Sequence, residues 1–102
     1  MHNLNNCLCD KVKKNCLKNK NEESCGMIIA DEVIACENLS PFPSNHFIIN
    51  PMIVFEKKPD YIYHSHVRSS CKPSRLDLIQ FKEINIPFLI YSLIDDEFYL
   101  LK

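Results

Sequence analysis

The chain reads as an α+β fold, close to α/β, built on a mixed β-sheet. Three observations predict it. Two stretches, residues 4–18 and 75–85, carry apolar side chains at helical spacing. Short runs rich in Ile, Val, Tyr and Phe, bounded by Asn, Asp and Pro, read as strands. These elements follow one another as helix, strands, helix, strands, with no internal repeat, linker or low-complexity tail. At 102 residues the chain is expected to form one domain, residues 1–102, around a single core.

The first helix is predicted from Leu4, Cys7/Leu8, Val12 and Cys16/Leu17, with Lys and Asn filling the other faces. Its lysines need no partner beyond water. Gly26–Ala30 and Val33–Cys36 read as two strands of a hairpin, with Asp31-Glu32 as the turn. Residues 38–45, with Pro41 and Pro43, read as a loop. Phe47–Ile49 follows as a third short strand, and Pro51–Phe55 is either helix or strand. Lys57-Lys58-Pro59-Asp60 breaks the chain before a strand that carries two histidines. In the second helix Leu76, Ile79, Gln80 and Ile84 are spaced to face a sheet, and Pro87 stops it. Phe88–Leu93 and Glu97–Leu101 are strands joined by an acidic turn at Asp95-Asp96.

Composition removes several classes of function. Twelve basic against thirteen acidic residues leave a formal charge of −1, which makes no electrostatic case for nucleic acid. No apolar run approaches the ~18 residues of a membrane span. The N-terminal residues 1–6 lack the charged-then-apolar plan of a signal peptide, so a cytoplasmic location is expected, or a virion-associated one if the chain is phage-encoded. In that compartment the six cysteines are expected as reduced thiols.

The chemistry concentrates between Tyr63 and Asp77. On a strand His64 and His66 project to the same face. Asp77 lies just inside the following helix. A strand end and a helix start can therefore gather His64, His66 and Asp77, the three-ligand set of a catalytic zinc with its fourth position left for water. Simpler readings stand beside this one. The histidines suit the exposed face of a strand, and Ser74-Arg75-Leu76-Asp77 is an S-x-x-D capping pattern. Cys7, Cys9, Cys16 and Cys25 are a second candidate metal set, but their spacing fits no familiar finger, and free cysteines usually pack as small hydrophobes. A zinc deaminase is excluded, since the chain has neither H-x-E nor P-C-x-x-C.

Glu23, His64-Ser65-His66, the seven residues Val67 to Pro73, then Ser74 and Asp77 together resemble the JAMM/MPN zinc metalloprotease (JAB-domain) family, whose pattern is a Glu, H-x-H, seven residues, Ser, two residues and Asp. Glu23-Ser24-Cys25-Gly26 is similar to the E-x-C-G segment of many members, and the likeness runs from about Glu22 to Ser92. The resemblance implies a mixed, curved sheet flanked by helices, with cytidine-deaminase-like layering. It implies one zinc held by His64, His66 and Asp77. Glu23 would be the general base, and Ser74 the donor to the tetrahedral oxyanion. Cys71 would be a neighbour of the site, not a ligand. The implied activity is hydrolysis of a peptide or isopeptide bond. The partner is then a peptide or protein: a ubiquitin-like tail, a phage protein in tail assembly, or a peptidoglycan peptide in cell-wall processing. Val67 replaces the proline usual after the second histidine, and the insertions that grip ubiquitin in eukaryotic members are missing. The chain thus looks closer to minimal prokaryotic and phage forms. A catalytically weak or inactive scaffold of the same family is the alternative.

Overall fold

The structure, a computed structural model, describes residues 4–102; residues 1–3, part of the segment read above for a leader, lie outside it. Among the described residues no helix is long and apolar enough to cross a membrane. The elements are α1 (Asn6–Leu17), β1 (Cys25–Ile29), β2 (Glu32–Cys36), α2 (Pro51–Lys57), β3 (Tyr61–His66), α3 (Arg75–Ile84), β4 (Phe88–Ser92) and β5 (Glu97–Leu101). The five strands form one mixed sheet in the order β2-β1-β3-β4-β5. Only β3 and β4 run parallel, and α3 is the crossover between them. The fold is therefore α+β, with three helices around a mixed sheet.

Burial follows position in the sheet. β4 is buried at every residue, while every residue of the edge strands β2 and β5 is exposed or half-buried. On one face Leu8, Val12 and Cys16 of α1 pack on Ile28, Tyr63, Leu89 and Tyr91. Asn5 caps α1, accepting a 2.9 Å bond from the Leu8 amide, so the helix starts two residues later than its apolar spacing suggests. Gly26 permits a close approach here, because a Cβ would collide with the Ile34 carbonyl and the Tyr63 ring. On the other face Phe47, Ile49 and Cys71 pack with Cys25, Ile62, Phe88 and Ile90. All six cysteines are free thiols.

Three sequence expectations need correction. The first hairpin turns at Ala30-Asp31 and not Asp31-Glu32: both residues have positive φ (49° and 67°), as the tight two-residue turn requires, and Glu32 pairs with Ile29. Phe47–Ile49 is not a strand. Its backbone is held mostly by side chains: Ile48 N–H donates to Asn38 Oδ1 at 3.1 Å and the Phe47 carbonyl accepts from Gln80 at 3.0 Å, with one backbone bond from Leu39 N–H to the Ile48 carbonyl at 2.8 Å. The alternation of buried Phe47, half-buried Ile48 and buried Ile49 is what imitated a strand. Pro51–Phe55 resolves as helix, with Asn50 as its cap and Pro51 in its first turn.

The third correction concerns α3. Leu76 and Ile79, expected against the sheet, are each 47% exposed. Asp77, Gln80, Phe81 and Ile84 turn inward instead, at spacing i, i+3, i+4, i+7. The helix is rotated so that a carboxylate, not a leucine, meets the end of β3. It begins with a reciprocal capping box between Ser74 and Asp77 and ends at Asn85 in the left-handed region.

Candidate metal centre

Alternation along β3 sends Tyr63 and Ser65 toward α1 and sends Ile62, His64 and His66 toward α3. The histidines reach the carboxyl end of β3, where the chain leaves for α3. That end of a strand is where ligands bind in open α/β sheets. Asp77, in the first turn of α3, meets them there: its Oδ2 lies 2.9 Å from His66 Nε2 and its Oδ1 3.0 Å from His64 Nε2. All three residues are buried, and their ligand atoms lie within 4.8 Å of one another. Among the described residues no other three His, Cys, Asp or Glu side chains gather in this way. Cys16 packs on the α1 face and Cys25 on the opposite one, and Cys7 is exposed, so the N-terminal cysteines do not converge. Cys71 is buried beside Phe47 and Phe88, outside the ligand group.

The two histidines are held by different means. His66 Nδ1 donates to the Ser70 carbonyl at 2.6 Å, which leaves Nε2 as the inward nitrogen. In that tautomer a lone pair faces a carboxylate oxygen at 2.9 Å, and only a proton or a cation between them makes the contact favourable. Without a metal the proton serves. Burial opposes the charged form of His66, but Asp77 and the Ser70 carbonyl hold its pKa above the ordinary value. Burial likewise opposes ionisation of Asp77, yet His64, His66 and the Ser74 amide hold it well below the usual carboxylate range.

His64 has no such arrangement. It is fully buried, and neither ring nitrogen has a hydrogen-bond partner; Nε2 is near Asp77 Oδ1 but out of alignment. Burial keeps its pKa below the ordinary value despite Asp77, so the ring stays neutral. Its orientation comes from Phe47, stacked on it at 4.2 Å and 20°, and from Phe88 edge-on at 5.8 Å. An unpartnered nitrogen in a fully buried imidazole is costly. A cation between them would take the inward lone pairs of His64 Nε2 and His66 Nε2 together with an Asp77 oxygen, so the residues present fit a zinc ion.

Glu23 reaches the site through sheet register. Cys25 pairs with His64, and Ser65 N–H donates to the Ser24 carbonyl at 3.0 Å, so Glu23 comes opposite His66 and on its face. Its backbone is fixed by the Pro43 carbonyl at 2.7 Å and the Asn38 amide at 2.9 Å. The carboxyl is buried and its Oε1 has no partner. Burial pushes its pKa up to about 8, with His66 working against that rise and Asp77 adding to it. A cleft of about 270 Å³ is lined by Glu23, His66 and Ser74 together. Ser74 Oγ accepts from the Asp77 amide at 3.1 Å, leaving its O–H free to donate into that cleft. Larger apolar grooves along β2 and α2, about 360 and 460 Å³, gather no such chemistry.

Two supporting residues lie outside the sequence-predicted site, although Gln80 already reads as facing the sheet. Phe47 is a ring above His64 supplied by an irregular segment. Gln80 binds that segment to α3, donating to His46 Nε2 at 3.1 Å as well as to the Phe47 carbonyl. Its spacing of three residues from Asp77, on one helix face, is the signal that points to it.

No family model matches the chain, and no curated protein matches it in sequence. Among solved structures, the solution structure of a protein from Desulfitobacterium hafniense, a Northeast Structural Genomics Consortium target, is similar to it. The TM-score is 0.64 with 19% identity, over 93% of this chain and 77% of that one. At that identity the likeness concerns fold alone.

Proposed function

We propose that this protein is a zinc-dependent hydrolase of peptide or isopeptide bonds, organised as a JAMM/MPN domain. The observation that carries the reading is His64: fully buried, both nitrogens unpartnered, and aimed with His66 at the Asp77 carboxylate. His64, His66 and Asp77 would hold one zinc per chain. Zinc bound by such a set lowers the pKa of water toward neutrality and polarises a carbonyl.

The remaining work belongs to the chain's own side chains. Glu23 takes a proton from the attacking water with its free Oε1 and returns it to the departing amine. The Ser74 hydroxyl donates to the substrate carbonyl oxygen as that oxygen gains charge. The capping box holds Ser74 in place, so this donor needs little reorganisation. The substrate is a peptide or protein: a ubiquitin-like tail, a phage protein or a peptidoglycan peptide. The five-stranded mixed sheet with helices on both faces is compatible with JAMM/MPN layering.

Metal content tests the reading. Purified wild type should carry about one zinc per chain by elemental analysis, in keeping with one three-ligand set. The His64→Ala/His66→Ala double variant should carry almost none. Equal zinc in the two proteins would end this proposal.

A further inference from the structure

Arg68 lines the same cleft as Glu23, His66 and Ser74, and the zinc-hydrolase reading leaves it without a role. It stands two residues beyond His66, in the connection from β3 to α3. That connection is pinned along its length. The His66 carbonyl accepts from Leu93 N–H at 3.0 Å, the Ser69 carbonyl from Ser92 Oγ at 2.7 Å, and the Ser70 carbonyl from His66 Nδ1 at 2.6 Å. The guanidinium therefore leaves a fixed backbone. Among the described residues it has no carboxylate partner, although the chain's acidic residues outnumber its basic ones. Ser44 and Asn45 add neutral hydrogen-bonding groups to the cleft.

Size limits what the cation can meet. About 270 Å³ is at or below the lower end of ligand pockets, which run roughly 300–1,000 Å³, so the cleft takes about one residue beside the reacting bond. A planar, permanently charged fork with no internal partner matches a carboxylate in two-point contact.

We propose that Arg68 binds a carboxylate carried by the residue next to the scissile bond, so that the preferred substrates are peptides with a free terminal or acidic side-chain carboxylate at that position. This rests on the zinc-hydrolase reading for its meaning, but binding tests it without turnover. The probes are N-acetylalanine (terminal carboxylate), N-acetylalanine amide (none) and N-acetylglutamic acid α-amide (side-chain carboxylate). Each is titrated into the protein as purified, in wild type, Arg68→Ala and Arg68→Lys, by calorimetry or NMR shifts, with zinc content measured in parallel.

Wild type should bind at least one carboxylate probe about tenfold or more tightly than the amide. Which probe wins distinguishes a chain terminus from an acidic side chain. Arg68→Ala should abolish the preference with zinc unchanged, and Arg68→Lys should keep part of it. A preference that survives in Arg68→Ala would mean the metal site itself holds the anion, and the proposal falls. It falls equally if wild type does not discriminate. Absence of zinc would sink the hydrolase reading alone, since the Arg68-dependent preference is read on that protein just the same.

Discussion

The two walls of the metal centre are built on opposite principles. On the wall formed by His66, Ser70, Ser74 and Asp77, each named group has a hydrogen-bond partner, and all four lie within one short stretch of chain. The other wall brings Glu23, Phe47 and His64 together from three distant segments, and there Glu23 Oε1 and both His64 nitrogens have no partner. Folding completes the first wall once a proton or a cation sits between His66 and Asp77. The second leaves buried polar groups without a protein partner, a feature that natural folds tolerate chiefly at functional or strained sites. On the proposed reading the closed wall sets the geometry, a cation sits where the two walls meet at His64, His66 and Asp77, and the open wall faces the water and substrate.

Glu23→Gln probes the open wall and should have the largest effect. The amide keeps the shape but cannot accept a proton. Zinc should stay bound while hydrolysis falls by ~10²–10⁴-fold, the usual worth of general acid–base catalysis. The assay begins with a screen of peptides and ubiquitin-like fusions on wild type. Full activity in the variant on any substrate that wild type cleaves would remove Glu23 from the mechanism.

Phe47→Leu comes next, because it loosens the open wall without emptying it. Leucine retains much of the apolar volume but loses the flat face stacked on His64. Supports of metal ligands typically matter by ~10–100-fold in affinity, and a loss in that range is expected, measured by competition with a chelating dye. Unchanged affinity would mean that burial alone orients His64.

Legibility in the sequence divides along the same line. The closed wall is contiguous, and its spacing sufficed to place His66, Ser74 and Asp77, with His64 of the other wall beside them, at a strand end and helix start. Glu23 was identified by resemblance, because nothing in its own neighbourhood says that register with β3 carries it to His66. Phe47 reads as a strand residue in the sequence: its alternating burial is real, but the bonds that hold its segment come mostly from Asn38 and Gln80 side chains, which leave no periodic trace. The face of α3 was misread for a related reason. Hydrophobic spacing pointed Leu76 and Ile79 at the sheet, while the inward stripe begins with a buried Asp. Where a buried carboxylate interrupts the apolar stripe, a rule based on apolar patterning fails.

Removing the metal should expose the asymmetry through pH. In chelator-treated protein a proton can stand in at His66, whose folded pKa is raised, but not at His64, whose pKa is lowered. The His66 contribution is fully present below the unfolded pKa, about 6.5, and is lost as pH rises through the higher folded value. Asp77 acts oppositely: its folded pKa is depressed, so its contribution is lost only in strong acid. The metal-free protein should therefore lose thermal stability as pH rises from about 6 to 8, Glu23 adding to the loss because its folded pKa is raised to about 8, while the zinc-loaded protein, whose ligands must be deprotonated, holds or gains. Parallel Tm profiles for the two forms, by calorimetry, would contradict this account of the closed wall.

Ser74 is the one residue expected to serve both walls, and the smallest stability effect separates its two roles. Its Oγ accepts from the Asp77 amide as a helix cap, and its hydroxyl proton is free toward the cleft. Ser74→Ala removes both and should cost about 1 kcal/mol in stability, the typical loss of a cap, together with part of the activity. Ser74→Gly also lacks the hydroxyl, but glycine at a cap position costs only a few tenths of a kcal/mol relative to serine. Denaturant melts should thus rank wild type slightly above Gly and both above Ala. Turnover should instead place Gly with Ala, both well below wild type, and zinc content should be equal in all three. If activity followed stability, with Gly recovering what Ala lost, Ser74 would act only by holding Asp77 and α3 in position, and the oxyanion donor would have to be sought among the backbone amides of the same cleft.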